Sequence, residues 1–300
     1  MERRTRWISR CASSAAVWLV QRPFVAVGAL LLGGPGHFAW PGPSFVSSPA
    51  QVREAGCSGG WLERSDARFD AAKLDARRWA VTSAHDFRQR SVEIVKRKVQ
   101  PDRYWLRLQA DTIGTDDRTV KFLGIRLREP LNLLVKSEVE VEIDWNQQPN
   151  GSYLTAGVFL APAETEKAAE LLSDWVKIEY VGVPPGKNGR AVVASKREGQ
   201  LKFLHTEGWP DRSRAGRPIA RQRLKITIDR GSLEVSENGQ ILYQSDEPVL
   251  SFQRAWLYLQ MSSHSNYASR ELFMSGIAVR HACSVDADRP AHKPTSYTTR

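Results

Sequence analysis

Hydrophobic and polar residues alternate with a period of two along much of the chain between residues 58 and 280. The clearest alternating segments are residues 106–110, 139–144, 175–180, 224–229 and 233–235. Successive side chains of a β-strand point to opposite faces, so this period predicts strands with one buried and one wet face, as in antiparallel sheets. Turn sequences such as Asn238-Gly239 punctuate the pattern. We therefore expect an all-β fold.

The organisation of these segments favours a single domain. No linker interrupts residues 60–280, and no internal repeat or parallel crossover pattern is visible. The simplest architecture is a two-sheet antiparallel β-sandwich over residues 58–283. Residues 163–172 are rich in Ala, Glu, Lys and Leu, which predicts a short loop helix at the rim of the sandwich. The polar tail over residues 284–300 is expected to be disordered.

Residues 1–50 have the features of a signal peptide or N-terminal leader. Five arginines flank or precede an apolar run at residues 23–33, and that run is much shorter than the ~20 residues that span a bilayer. The small-x-small sequence at residues 48–50 is a candidate cleavage site. The alternative is an uncleaved anchor over residues 15–34, which two polar residues interrupt. We expect a secreted, periplasmic or cell-surface protein with no stable membrane span once the leader is removed.

The composition is that of an ordinary globular protein. The chain is 41% hydrophobic and 25% charged, which excludes collagen, coiled coils and wholesale disorder. Basic residues number 43 against 33 acidic residues, but part of this excess lies in the leader. The rest is scattered, apart from clusters at residues 96–98 and 212–223. No basic stripe suited to a phosphate backbone results, so we expect no nucleic-acid partner.

The cysteines support export. Cys57 and Cys283 bracket the predicted domain, whereas Cys11 lies in the leader. The first and last strands of an antiparallel sandwich are commonly neighbours, so a disulfide between Cys57 and Cys283 is expected in an oxidising compartment. Lipidation of Cys57 is disfavoured because Glu54 stands where a lipidation signal has an aliphatic residue.

Several segments together resemble the concanavalin A-like lectin/glucanase jelly roll, and laminarinase-like domains in particular. They are residues 69–79 (FDAAKLDARRW), residues 137–144 followed by 156–160, residues 174–180, and residues 258–262 through 272–279. The resemblance implies a jelly-roll sandwich whose concave sheet handles a carbohydrate, either a polysaccharide or a glycan.

The same resemblance supplies a catalytic pattern to compare. Family-16 glycoside hydrolases of this fold carry Glu-x-Asp-x-(x)-Glu on one strand, with a nucleophile, a helper aspartate and an acid/base. Asp174 and Glu179 match its ends, and Val176 replaces the central aspartate. In an unbulged strand Asp174 and Glu179 project from opposite faces, whereas a retaining pair needs carboxyl groups about 5 to 5.5 Å apart.

A second segment matches the first two acids of the pattern. Glu142 and Asp144 are followed by Gln147 at the acid/base position, and a glutamine cannot donate a catalytic proton. Whether the protein is an enzyme therefore stays open. A glycoside hydrolase or lyase would use Glu179 as acid or base, with Asp174 or Glu142 as its partner.

One strand offers candidate sugar contacts. Trp175, Lys177 and Glu179 share a face, with residues 176, 178 and 180 on the other. An indole ring between a cation and a carboxylate can stack on a sugar and hydrogen-bond its hydroxyls. The alternative is an ordinary solvated face in which Lys177 and Glu179 make cross-strand pairs.

A polar segment between two late strands offers a second set of candidate contacts. Its candidate ligand-binding residues are His264, Asn266, Tyr267 and Arg270. Such loops are common places for specific chemistry. The alternative is that the polar side chains satisfy their own turn and that Arg270 pairs with Glu271 or Glu179.

No cofactor or metal ion is predicted, because the histidines and cysteines lack ligand spacing. A structural calcium near Asp111, Asp116 and Asp117 is weighed against acidic turns without an ion. The sequence thus predicts an exported, non-catalytic, lectin-like carbohydrate-binding domain. The alternatives are a glycoside hydrolase acting on polysaccharide, and a cell-surface interaction module, which would have an exposed apolar patch and no cleft.

Overall fold

The structure, a computed structural model, describes residues 60–116, 118–144, 154–181, 190–208, 221–263 and 270–283. The predicted leader and tail lie outside these ranges. Within them the chain forms sixteen strands. Their bounds are β1 (Trp61–Glu63), β2 (Trp79–Ala84), β3 (Gln89–Arg97), β4 (Gln100–Asp111), β5 (Lys121–Leu127), β6 (Leu131–Asn132), β7 (Ser137–Asp144), β8 (Leu154–Ala161), β9 (Trp175–Val181), β10 (Arg190–Arg197), β11 (Gln200–Gly208), β12 (Gln222–Asp229), β13 (Ser232–Glu237), β14 (Gln240–Gln244), β15 (Arg254–Ser263) and β16 (Arg270–Ala282).

The strands form two antiparallel sheets of eight strands each. Sheet A has the order β14-β13-β12-β7-β16-β4-β3, and β1 pairs with β16. Sheet B has the order β11-β10-β9-β8-β15-β5-β2, and β6 pairs with β15. This arrangement confirms the predicted all-β fold, a two-sheet antiparallel sandwich of the jelly-roll type.

The period-two pattern creates the core between the sheets. On β12, Leu224, Ile226 and Ile228 are fully buried and face the other sheet, while the intervening residues lie outside. Each side chain buried in this way contributes about 1.5 to 3 kcal/mol before conformational entropy is subtracted. Strands β5 and β8 are buried along their whole length, so something also covers the outer face of sheet B.

The segment between β8 and β9 provides this cover. We call residues 162–173 the strap. The short loop helix predicted within it is reduced to a single 3-10 turn, Ala169–Leu171. The backbone N–H of Thr165 donates to Tyr258 Oη (2.9 Å), and that of Ala169 donates to Gln260 Oε1 (3.1 Å). Side chains of sheet B therefore accept hydrogen bonds from the strap backbone, and one of these donors, the N–H of Ala169, is one that an α-helix over residues 163–172 would have used within itself.

Glycines occupy the tight turns of two hairpins, one of which is the Asn238-Gly239 turn that the sequence predicted. Gly231 between β12 and β13, and Gly239 between β13 and β14, have φ of +86° and +84°. Residues with a Cβ rarely adopt this conformation, so glycine at these positions avoids strain.

No helix in the described residues is long and apolar enough to cross a membrane. The candidate leader over residues 1–50 lies outside the described residues, so its role stays a prediction.

The two ends of the described chain are neighbours. Strand β1 pairs with β16, with Trp61 opposite Ala282, and the backbone N–H of Cys283 donates to the carbonyl of Gly60 (2.8 Å). Cys57 lies outside the described residues. The predicted disulfide stays a prediction.

This prediction can be tested by a thermodynamic cycle. Cys57→Ser and Cys283→Ser should each lower the free energy of unfolding by about 4 to 5 kcal/mol, because a disulfide closing so long a loop restricts the unfolded chain. The double variant should lose no more free energy of unfolding than either single variant. Urea unfolding of the oxidised proteins measures all three. Single variants as stable as the parent protein would rule out the pairing.

Candidate functional site

Strand β9 separates two kinds of side chain. Val176, Ile178 and Tyr180 belong to the core between the sheets. Trp175, Lys177 and Glu179 lie on the outer face of sheet B, as alternation predicts. The two faces of one strand thus carry the core and the candidate site.

Trp175 is covered, although its strand face points outward. Its side chain is only 2% exposed and packs with Phe159, whose ring lies edge-on at a centroid distance of 5.8 Å. Its indole N–H donates to the carbonyl of Glu170 on the strap (3.4 Å). In this arrangement the ring stabilises a second small apolar cluster and has no free face for a sugar.

Lys177 lies between two carboxylates. Its Nζ is 3.0 Å from Glu170 Oε1 and 3.1 Å from Glu179 Oε2. Sequence reasoning missed Glu170 because it read that segment as a peripheral helix. One signal in the sequence could have identified it: Glu170 is an acidic residue in the segment directly before the strand that carries the outward Lys177.

The pKa values of this cluster reflect two carboxylates that share one ammonium group. Burial, the largest cause, together with the charge of Glu179, raises the pKa of Glu170 above its usual range, and Lys177 only partly opposes this. Burial on its own would lower the pKa of Lys177, but the carboxylates of Glu179 and Glu170 raise it. Lys177 is therefore held charged, and Glu170 is protonated more readily than a free glutamate.

One cross-strand row links the cluster to the rest of sheet B. Backbone pairing aligns the outward residues of neighbouring strands in the order Arg126, Tyr258, Phe159, Lys177, Ala194 and Phe203. The strap covers the Arg126 end of this row. At the other end, on edge strand β11, Phe203 is 58% exposed and Leu201 is also exposed. We call Phe203 and Leu201 the open end.

Two glycines lie on sheet B beside this row. Gly124 and Gly157 both lie opposite Gln260 on the two flanking strands. A Cβ on Gly124 would come within 2.3 Å of the Leu259 carbonyl oxygen, and one on Gly157 would meet the Phe159 ring. Glycine at these two positions therefore allows the close packing of β5 and β8 around β15 and the Phe159 ring.

The two carboxylates proposed as partners of Glu179 lie elsewhere. Asp174 accepts hydrogen bonds from Ser173 and from the backbone N–H of Glu198 (3.0 Å), and these bonds hold its pKa below the usual range. Glu142 lies on the outer face of sheet A, where Arg103 and Arg221 each approach it to 2.8 Å. The carboxylate that the structure does bring beside Glu179 is that of Glu170.

The second set of candidate contacts falls mostly outside the described residues. His264, Asn266 and Tyr267 lie there, and only Arg270 is described. Arg270 begins β16 opposite Ala110 and shares its strand face with the core residues Leu272 and Met274. It therefore lies on sheet A and not beside Lys177.

The two carboxylates that were alternative partners of Arg270 each pair with a basic residue. Glu271 pairs with Arg107, and Glu179 pairs with Lys177.

The candidate calcium position consists of acidic turns. Asp111 accepts the backbone N–H of Ile113 (3.0 Å), and Asp116 accepts that of Arg118 (3.0 Å). Asp117 lies outside the described residues. In the part of the chain that the structure describes, no group of three or more metal-binding side chains comes together.

No protein-family model and no curated protein sequence matches the chain. Solved structures with a similar fold are identical to this chain at about a tenth of the aligned residues. One is a GH16 of the mixed linkage glucan PUL of Bacteroides ovatus in complex with its G4G4G3G product, with 9% identity and a TM-score of 0.48 over 69% of this chain and 95% of that one. A second is a β-1,3-glucanase from Mycobacterium marinum, with 10% identity and a TM-score of 0.43 over 69% of this chain and 93% of that one. A third is the carbohydrate binding module CBM66 from Bacillus subtilis, with 9% identity and a TM-score of 0.38 over 66% of this chain and 93% of that one. The likeness concerns the fold alone.

The raised pKa of Glu170 predicts a pH effect on stability. An acid whose pKa is higher in the folded than in the unfolded protein stabilises the fold fully below the unfolded pKa, about 4.3, and this contribution is lost as pH rises through the folded pKa. The free energy of unfolding of the parent protein should therefore fall relative to that of Glu170→Gln as pH increases from about 4.

Urea unfolding across a pH series measures this difference, with the exposed Glu247→Gln as a matched control. A parent protein that gains stability over Glu170→Gln as pH rises would contradict the assignment.

Proposed function

We propose that the protein is an exported, non-catalytic carbohydrate-binding module that binds a glycan on the outer face of sheet B. The observation that supports this most is the combination on one face of a charged hydrogen-bonding cluster and an open aromatic ring. The cluster is Lys177 with Glu170 and Glu179, and the ring is that of Phe203.

The chemistry of these groups suits a sugar. A flat aromatic ring packs against the C–H face of a pyranose. Carboxylates accept hydrogen bonds from hydroxyl groups, and an ammonium group donates them. Lys177 and Phe203 lie two strands apart in one row, which is about 10 Å. The strap covers Lys177, but its partner Glu179 is partly exposed, so one bound sugar chain can contact both Phe203 and the Glu179 carboxylate.

The position of Lys177 favours binding over catalysis. A retaining glycosidase needs one carboxylate as a nucleophile and a second as a proton donor across the scissile bond. Here the Lys177 ammonium group lies within 3.1 Å of both Glu170 and Glu179 and neutralises one of the two charges. It also occupies the place between them.

Export is part of the proposal. The candidate leader over residues 1–50, the predicted Cys57–Cys283 disulfide and the polysaccharide partner all fit a secreted or surface location.

The proposal predicts that Phe203→Ala loses glycan binding, because the stacking surface is removed. Ile241→Ala is the matched control, since Ile241 is 62% exposed and lies on the edge strand of the other sheet. Glu179→Gln should weaken binding by removing a charged acceptor. Glycan-array binding followed by titration calorimetry measures all three. Equal binding by Phe203→Ala and Ile241→Ala would contradict the proposed site.

The same proteins test the enzyme alternative. If the parent protein released reducing ends from a bound polysaccharide and Glu179→Gln did not, the protein would be a hydrolase or a lyase.

A further inference from the structure

The floor beneath the strap is polar, although it is buried. Its side chains include Arg126, Tyr258, Gln260 and Lys177, all largely withdrawn from solvent. Burying polar groups is costly unless each finds a partner. A segment that only closed the sheet could have rested on an apolar floor at lower cost.

The floor makes its polar contacts with the strap. Tyr258 Oη accepts the N–H of Thr165 (2.9 Å) and donates to the carbonyl of Ala163 (2.8 Å). Gln260 accepts the N–H of Ala169 (3.1 Å). The strap thus occupies the hydrogen-bonding groups of the floor as a bound ligand would.

Two basic side chains of the floor hold carboxylates of the strap. Lys177 pairs with Glu170 (3.0 Å), and Arg126 lies 2.8 Å from Glu164. Arg126 is only 4% exposed, and its Nε has no hydrogen-bond partner while Nη1 meets Glu164 without hydrogen-bond geometry. A buried guanidinium with unused donors is matched better by a carboxylate that can align with its fork.

The strap itself is held by few apolar contacts. Its buried apolar side chains are the small ones of Ala168 and Ala169, Leu172 is half-buried against the cluster around Trp175, and Leu171 is exposed. Its regular structure is one 3-10 turn. A covering segment that depends mainly on polar contacts can be displaced by a ligand that offers the same contacts.

We propose that the strap is an internal occupant of a second, cryptic part of the glycan site, and that an acidic polysaccharide bearing uronate carboxylates displaces it. This inference rests on the proposed function and extends it to a ligand class. Uronate groups would replace Glu164 on Arg126 and Glu170 on Lys177. These two basic residues lie in one row three strands apart, about 14 Å, so the ligand is an extended chain that crosses the strands.

The test removes the two strap carboxylates that compete with a ligand, without touching the floor. In the Glu164→Gln/Glu170→Gln variant, called the weakened-strap variant, Arg126 and Lys177 have no carboxylate of the strap as a partner, so a uronate that displaces the strap replaces no competing ion pair. The probes are a hexameric oligogalacturonate and its methyl ester, which differ only in the carboxylate charge. The matched control is Glu129→Gln/Glu247→Gln, which makes the same charge change at exposed positions.

Titration calorimetry should show that the weakened-strap variant binds the oligogalacturonate about tenfold or more tightly than the control variant, with no gain for the methyl ester. Adding Arg126→Met should abolish the gain. Arg126 is covered by the strap, so a ligand can contact it only after the strap moves. If this triple variant does not unfold cooperatively, Arg126→Gln replaces the methionine.

Each result decides one part of the inference. A gain that survives the loss of Arg126 would mean local electrostatics without displacement, and would overturn the strap proposal. An equal gain for the methyl ester would overturn the acidic ligand class. No binding of the oligogalacturonate by the weakened-strap variant would overturn both. Failure of the proposed function is read separately, from the Phe203→Ala and Ile241→Ala comparison.

Discussion

Buried polar groups need hydrogen-bond or ion-pair partners, and this requirement determines the structure of the outer face of sheet B. Tyr258, Gln260 and Lys177 lie far from solvent, and their partners are on the strap. This constraint draws the strap flat across the sheet and prevents it from forming an α-helix. It also covers Trp175 and leaves Phe203, beyond the reach of the strap, as the exposed ring of the row. The residues of this face that are exposed in the candidate site are therefore those beyond the end of the strap.

Within the described residues, the outer face of sheet A meets the same constraint through side chains of its own strands and turns. Central strand β7 carries four outward carboxylates, which meet basic residues of neighbouring strands and turns. These acids are Glu138, Glu140, Glu142 and Asp144. Burial raises the pKa of Glu140, but hydrogen bonds from Arg223 and Arg280 outweigh this and hold it below the usual range. In the described residues these acids pair with basic residues of the same face, whereas the buried polar groups of sheet B depend on the strap.

The alternation of residue types was enough to predict the two sheets and the division of β9 into core and outer residues. It could not predict the strap, because local composition at residues 163–172 favours a helix and the competing acceptors, Tyr258 and Gln260, are remote in sequence. Glu170 was missed for the same reason. The exposure of Phe203 depends on β11 lying at the sheet edge, which only the strand order reveals.

The central claim is that side chains of sheet B, and not helical hydrogen bonds, hold the strap. Native-state hydrogen exchange of the Ala169 amide tests it most directly. The account predicts that this amide is protected in the parent protein and exchanges freely in Gln260→Leu, while the Ile178 amide of β9 keeps its protection. An Ala169 amide equally protected in both proteins would contradict the account.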